Sequence, residues 1–226
     1  MSYMWNEFNI KTFPAETIVY RDGLYCPELS TIKNDIITTR YDLPVHIIYV
    51  GKINGDCSLD TNIGVDEQKV FISVDVVVEK SATLNIDIKN AGFNSQVRGN
   101  VMIRNSGKLE LNINARHLLK NTGILIHTKL YAGENSFSKI SGVAIIDRDC
   151  PDCESDIGFS AMAEQGAKIQ FMPAQRIAAE PTRADHSAGI FRPADAQIQY
   201  LNQAGLDDAA VKNIMKEAFL NGNDLF

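Results

Sequence analysis

Between Val70 and Ile177 one unit recurs: two strand-like runs on either side of a turn of small or charged residues. The turns are Glu79-Lys80-Ser81-Ala82, Arg104-Asn105-Ser106-Gly107, Ala132-Gly133-Glu134-Asn135 and Ala163-Glu164-Gln165-Gly166. Gly107 follows Ala82 by 25 residues, Asn135 follows Gly107 by 28 and Gly166 follows Asn135 by 31. Beyond the turns apolar and polar residues alternate: Leu84, Ile86 and Ile88 against Asn85 and Asp87, then Leu109, Leu111 and Ile113 against Glu110, Asn112 and Asn114. The same holds for Ala167, Ile169 and Phe171 against Lys168 and Gln170. One face of each run is therefore buried and the other wet. A period of this length holding two strands suits a stacked solenoid, in which each coil leaves its inner face bare until the next lies on it. An antiparallel sandwich also spaces short strands regularly and stays open at this point. Asn85, Asn112 and Asn114 fit an outer face or a ladder between coils.

The 226 residues, 45% of them apolar, supply enough material for a real core. A net charge of -6 argues against a nucleic-acid binder, because affinity for phosphate backbones needs concentrated Lys and Arg. No run approaches the ~18 apolar residues that span a bilayer, and the first residues lack a charged head followed by an apolar core. The expectation is a cytoplasmic protein with no membrane contact, its four cysteines reduced and outside any disulfide framework.

Three segments emerge. Residues 1–44, with Trp5, Phe8, Ile10 and Phe13 in mixed periodicity, read as irregular or edge structure; strand texture begins at Val45 and fills 45–192. Residues 193–226 read as a helical hairpin. Its first helix runs from about Ala194 to Ala204, with Gly205 closing it, and its second starts on Asp207 as N-cap. Val211, Ile214, Met215, Ala218 and Phe219 then form one apolar stripe, Leu206 can staple against Val211, and Gly222 can end the helix.

Cys150-Pro151-Asp152-Cys153 is the sharpest chemical motif: two thiolates at this spacing can share a metal or one edge of an iron-sulfur cluster, but one chain supplies half of a four-coordinate site. A homodimer would supply the other half. A thioredoxin-like redox pair is the weaker reading, because no βαβ pattern surrounds the motif and Asp149, Asp152, Glu154 and Asp156 would repel a thiolate. Incidental loop cysteines are the third. Cys26 and Cys57 read as small apolar groups in turns, and His46, His117 and His127 as solvated or hydrogen-bonded strand histidines. No phosphate-cradling loop and no serine-histidine-aspartate site can be assembled from the spacing, so the chain is expected not to be an enzyme, with ATP hydrolysis on a partner.

Ile177-Ala178-Ala179-Glu180-Pro181-Thr182-Arg183-Ala184-Asp185-His186-Ser187-Ala188-Gly189-Ile190, followed by Asp195 to Leu206, resembles the C-terminal signature of the SufB/SufD family of iron-sulfur cluster scaffolds. Ser160 to Pro173 is similar to that family's penultimate coil. The resemblance covers about the last 70 residues. It implies an all-β solenoid, a right-handed parallel β-helix with a short C-terminal helical hairpin. It further implies a partner scaffold subunit, giving a homodimer or heterodimer, a SufC-type ABC ATPase held by the tail, and a transient iron-sulfur cluster. On that view His186 joins Cys150 and Cys153 as a candidate ligand, and Tyr200, Leu201, Leu206, Val211, Ile214, Met215 and Phe219 dock the ATPase. The family cysteine positions carry Ala184 and Gly158 here, and the glutamate position after the histidine carries Ser187. Much of the family's N-terminal region has no counterpart. The alternatives are a cytosolic β-helix interaction protein or a carbohydrate-binding one without cluster chemistry.

Overall fold

The computed structural model describes residues 15–32, 37 and 41–221. Trp5, Phe8, Ile10, Phe13 and the proposed cap Gly222 lie outside the described residues. In chain order the strands are β1 (Glu16–Arg21), β2 (Leu24–Tyr25), β3 (Val45–Lys52), β4 (Gly55–Ile63), β5 (Lys69–Val78), β6 (Ser81–Asn90), β7 (Gln96–Asn105), β8 (Lys108–His117), β9 (Gly123–Ala132), β10 (Phe137–Ile146), β11 (Cys153–Ala163), β12 (Lys168–Ile177) and β13 (Thr182–Phe191). Two helices follow, α1 (Asp195–Gln203) and α2 (Asp208–Asn221). No helix among the described residues is long and apolar enough to cross a membrane.

From β3 onward odd-numbered strands build one sheet and even-numbered strands the other, in the orders β13-β11-β9-β7-β5-β3-β1-β2 and β12-β10-β8-β6-β4. Every pairing is parallel except β1 with β2, so the chain winds as a parallel β-helix and the sandwich is excluded. Successive coils stack in register, Asn85 under Asn112 and Asn112 under Ser141, so side chains form columns along the axis. Inside, one column runs Ile47, Ile72, Gly99, Ile126, Ile157. Outside, Asn112 donates to Asn85 Oδ1 at 3.0 Å, Ser141 to Asn112 Oδ1 at 2.6 Å and Asn114 to Asp87 Oδ1 at 2.7 Å, the anticipated ladder between coils.

Buried polar side chains gather at the corners, where the backbone leaves the ladder and its groups need partners. Asn105 donates to Phe137 O at 2.9 Å and Ser138 Oγ at 2.8 Å while accepting from the Gly107 N–H. Asn90 donates to the carbonyls of Ser95 and Gly123, and Gln68 accepts from the Tyr41 N–H.

The corners are tighter than the four-residue turns expected from sequence. Ser81 and Ala82 belong to β6, Arg104 and Asn105 to β7, and Ala132 to β9, because the ladder to the adjacent coil recruits any residue in reach. The stack also extends upstream of Val45: β1 pairs with β3 over six residues, from Glu16 opposite Val45 to Arg21 opposite Val50. Cys57 lies in β4 rather than in a turn and packs partly buried against the core, whereas Cys26 does precede a turn. At this first end β2 folds back antiparallel on β1, and Ile37 bridges Ile63 of β4.

Asp207 caps α2 as expected, its carboxylate accepting the Ala210 N–H at 2.8 Å. Asp207→Ala should cost about 1 kcal/mol. The expected readout is roughly fivefold faster hydrogen exchange confined to the first turns of α2, and unchanged exchange there would refute the capping role. Gly205, at φ +90°, takes the left-handed conformation that lets the chain turn from α1 into α2. α2 lies on the outer face of the longer sheet. Val211 and Leu220 are buried, Met162 is covered, and the Phe219 ring stacks on Phe191 with centroids 6.3 Å apart. Lys216 sits 5.7 Å over the Tyr131 ring, Lys212 pairs with Glu164 at 2.5 Å, and Glu217 approaches Arg104 at 3.9 Å.

Candidate functional site at the last coils

Cys150-Pro151-Asp152-Cys153 is the corner joining β10 to β11. Pro151 sets one backbone angle, Asp152 adopts φ +59°, and its N–H donates to Pro181 O at 2.6 Å, tying this corner to the next. Both thiols point inward, 3% and 2% exposed, in a small cluster with Ile146 and Ala179. Cys150 donates to His117 O at 3.5 Å and Cys153 to Leu119 O at 3.3 Å. Burial pushes the Cys150 thiol up, with the charges of Cys153, Asp147 and Asp149 adding to it. Both thiols spend their hydrogens on backbone carbonyls.

His186 does not join them. It stands on β13 opposite Ile157, while Cys153 is opposite Thr182, four residues and about 13 Å earlier along the strand. It continues the inner column of Ile47 to Ile157 and is exposed because no further coil covers it. Among the described residues no three His, Cys, Asp or Glu side chains are placed to hold a metal ion. Within one chain, strand register keeps His186 apart from Cys153.

The neighbour of Cys153 is instead His117, reached through Thr122. Thr122 Oγ1 lies 3.2 Å from Cys153 Sγ and 2.7 Å from His117 Nδ1, and donates to Leu119 O at 3.0 Å. That network assigns the ring proton to Nδ1. His117 is fully buried, its Nε2 has no partner, and burial pushes its pKa down to about 4. The sequence did carry a signal: Asn90 and Ser95 make the equivalent corner pair one coil earlier, 27 residues before His117 and Thr122. His46 and His127 are hydrogen-bonded as expected, to Ser73 at 2.8 Å and Asp156 at 3.2 Å.

The last coil is open. The inner columns end on β12 and β13 with Ile177 41% and Ile190 51% exposed, and β13 is paired on one side only. Clefts of about 860 Å³ beside Ile177–Thr182 and about 400 Å³ beside Cys153, Pro181 and Arg183 flank this corner. Gly158 and Ser187 are direct partners across β11 and β13, while Ala184 faces inward opposite Ser155.

Of the expected docking residues, Tyr200 is 73% exposed, Ile214 also faces solvent, and α1 buries none of its residues. Leu201, Leu206, Met215 and Phe219 are half-buried. Val211 is not available to a partner, since the helix spends it on its own sheet. The buried line of α2 runs through Val211 and Leu220, so the stripe read from sequence is rotated toward Leu220 and leaves Ile214 and Ala218 outside.

Compared with known proteins, the chain matches no protein-family model and no curated protein.

Proposed function

We propose that this chain is a scaffold subunit of the SufB/SufD type. It pairs through its open last coil with a second such subunit and carries a SufC-type ABC ATPase on its helical tail. The observation that carries the reading is the uncovered end of the solenoid. Among the described residues its inner columns stop uncapped at His186 and Ile190, and the free edge of β13 offers main-chain groups that a second strand would satisfy. The exposed α1 with Tyr200, and Ile214 beside it, support the tail as the docking element, because α2 is anchored to the body by its other side.

The cluster is cargo on this reading, and the chain's own thiols do not suit it: Cys150 and Cys153 are buried with their hydrogens on backbone carbonyls, and burial pushes the Cys150 thiol up. His186 is the one candidate ligand of this chain facing the seam, so thiolates would have to come from the second subunit. Anaerobic addition of iron and sulfide to the protein alone should give no cluster chromophore that depends on Cys150 or Cys153. Co-expressed with its host's ABC ATPases, the chain should retain one of them. Retention should be lost on deletion from Pro193 onward and on the milder Tyr200→Glu with Ile214→Glu, which leaves Val211 and Leu220 in place. A protein that stays monomeric at micromolar concentration and retains no ATPase would end the proposal.

A further inference from the structure

On the outer face of the longer sheet, three consecutive strands bring Asp156, His127 and Ser187 together, though they are 29 and 60 residues apart in the chain when counted from His127. Asp156 Oδ2 lies 3.2 Å from His127 Nε2. His127, Gly158 and Ser187 form one row across β9, β11 and β13. A Cβ placed on Gly158 would stand 3.1 Å from Ser187 Oγ and 3.5 Å from His127 Nδ1. The imidazole and the hydroxyl thus lean toward each other over the one residue in the row without a side chain. With its Nε2–H donated to the carboxylate, the ring presents the Nδ1 lone pair to that gap.

We propose that Ser187, His127 and Asp156 form an acyl-transfer site that hydrolyses small esters. The arrangement is recognised by roles rather than chain order: nucleophile, base, and a carboxylate that orients the base. Ser187 Oγ attacks the ester carbonyl and its proton passes to His127 Nδ1. The carbonyl re-forms as the C–O bond to the alcohol breaks, and the alcohol leaves with that proton. Water, deprotonated by His127, then releases the acid and regenerates Ser187. No hydrogen bond joins Ser187 to His127 without substrate, and catalytic hydrogen bonds commonly tighten only when substrate arrives. Half-buried Leu125, opposite Asp156 on β9, offers the substrate an apolar shelf. The site uses the outer face rather than the inner columns, but Ser187 stands on β13, whose free edge the scaffold reading gives to a partner, so ester turnover is measured on the chain alone.

The test uses the full chain with a fluorophosphonate probe and with p-nitrophenyl acetate. The probe should label Ser187, and ester turnover should fall about 100-fold or more in Ser187→Ala and in His127→Gln. Asp156→Asn should lower kcat at constant KM, with partial recovery in Asp156→Glu, which marks Asp156 as a positioning residue. Gly158→Ala should plug the gap and abolish labelling while the thermal midpoint stays within a few degrees of the parent. Absence of label on Ser187, or label and turnover unaffected by His127→Gln, would overturn the proposal; these side chains face solvent, so the variants should fold.

Discussion

Phe159→Ala is expected to lower the free energy of unfolding by about 3–5 kcal/mol, and the thermal midpoint by on the order of 10 °C. Phe159 is fully buried in β11, its ring stacks on Phe171 of β12 with centroids 5.7 Å apart, and it fills the space over Gly142 of β10. A Cβ on Gly142 would stand 2.5 Å from the tip of that ring, so the small residue in one sheet exists in size complement to the large one in the other. Gly142→Ala should therefore destabilise the parent but cost less in a Phe159→Leu background, a coupling a double-mutant cycle reads directly. Each coil touches mainly its neighbours, so hydrogen exchange should accelerate more in β10 to β13 than in β3 to β6. A loss below 1 kcal/mol would show that the last coils are not packed as described.

Acidification from about pH 6.5 to about pH 4 should remove about 3 kcal/mol of stability through His117 alone. In the unfolded chain this imidazole titrates near its ordinary value, whereas burial pushes it down to about 4 in the fold. Between those values the unfolded chain binds a proton that the folded chain refuses, so the stabilisation is complete above about pH 6.5. It is lost as pH falls to about 4, below which this group has no further effect. His46, also lowered by burial, acts in the same direction. Urea midpoints measured across this range should fall steeply for the parent and clearly less for His117→Gln, whose amide can still reach Thr122. Parallel curves for the two proteins would refute the assignment.

Much of the solenoid was legible because its coils repeat a chemical alternation. Ala82, Leu84 and Ile86 lie in register under Leu109, Leu111 and Ile113, and a column of apolar residues is what stacking in register demands. β1 escaped notice because Ile18, Val19 and Tyr20 make too short a run to stand out until β3 lies beside them. The candidate site was read less well. Chain proximity put Cys150 and Cys153 together correctly, but their inward direction is decided by which residues of the corner continue the ladder. The distance from Cys153 to His186 is a matter of register between β11 and β13, which spacing in the chain does not encode. The row of His127, Gly158 and Ser187 was invisible for the same reason: residues from three different coils become neighbours only through the exact length of each turn between them. For α2 the apolar stripe was real, yet Leu220 outcompeted Ile214 because the row of Tyr131, Met162 and Phe191 fixes how the helix rolls.

The two extremities of the winding are unlike. The first is folded over by β2 and bridged by Ile37, while β13 ends the second with no further strand laid against it among the described residues. Two copies of this chain joined through that second extremity would meet face to face about a two-fold axis, each hiding the β13 rim of the other.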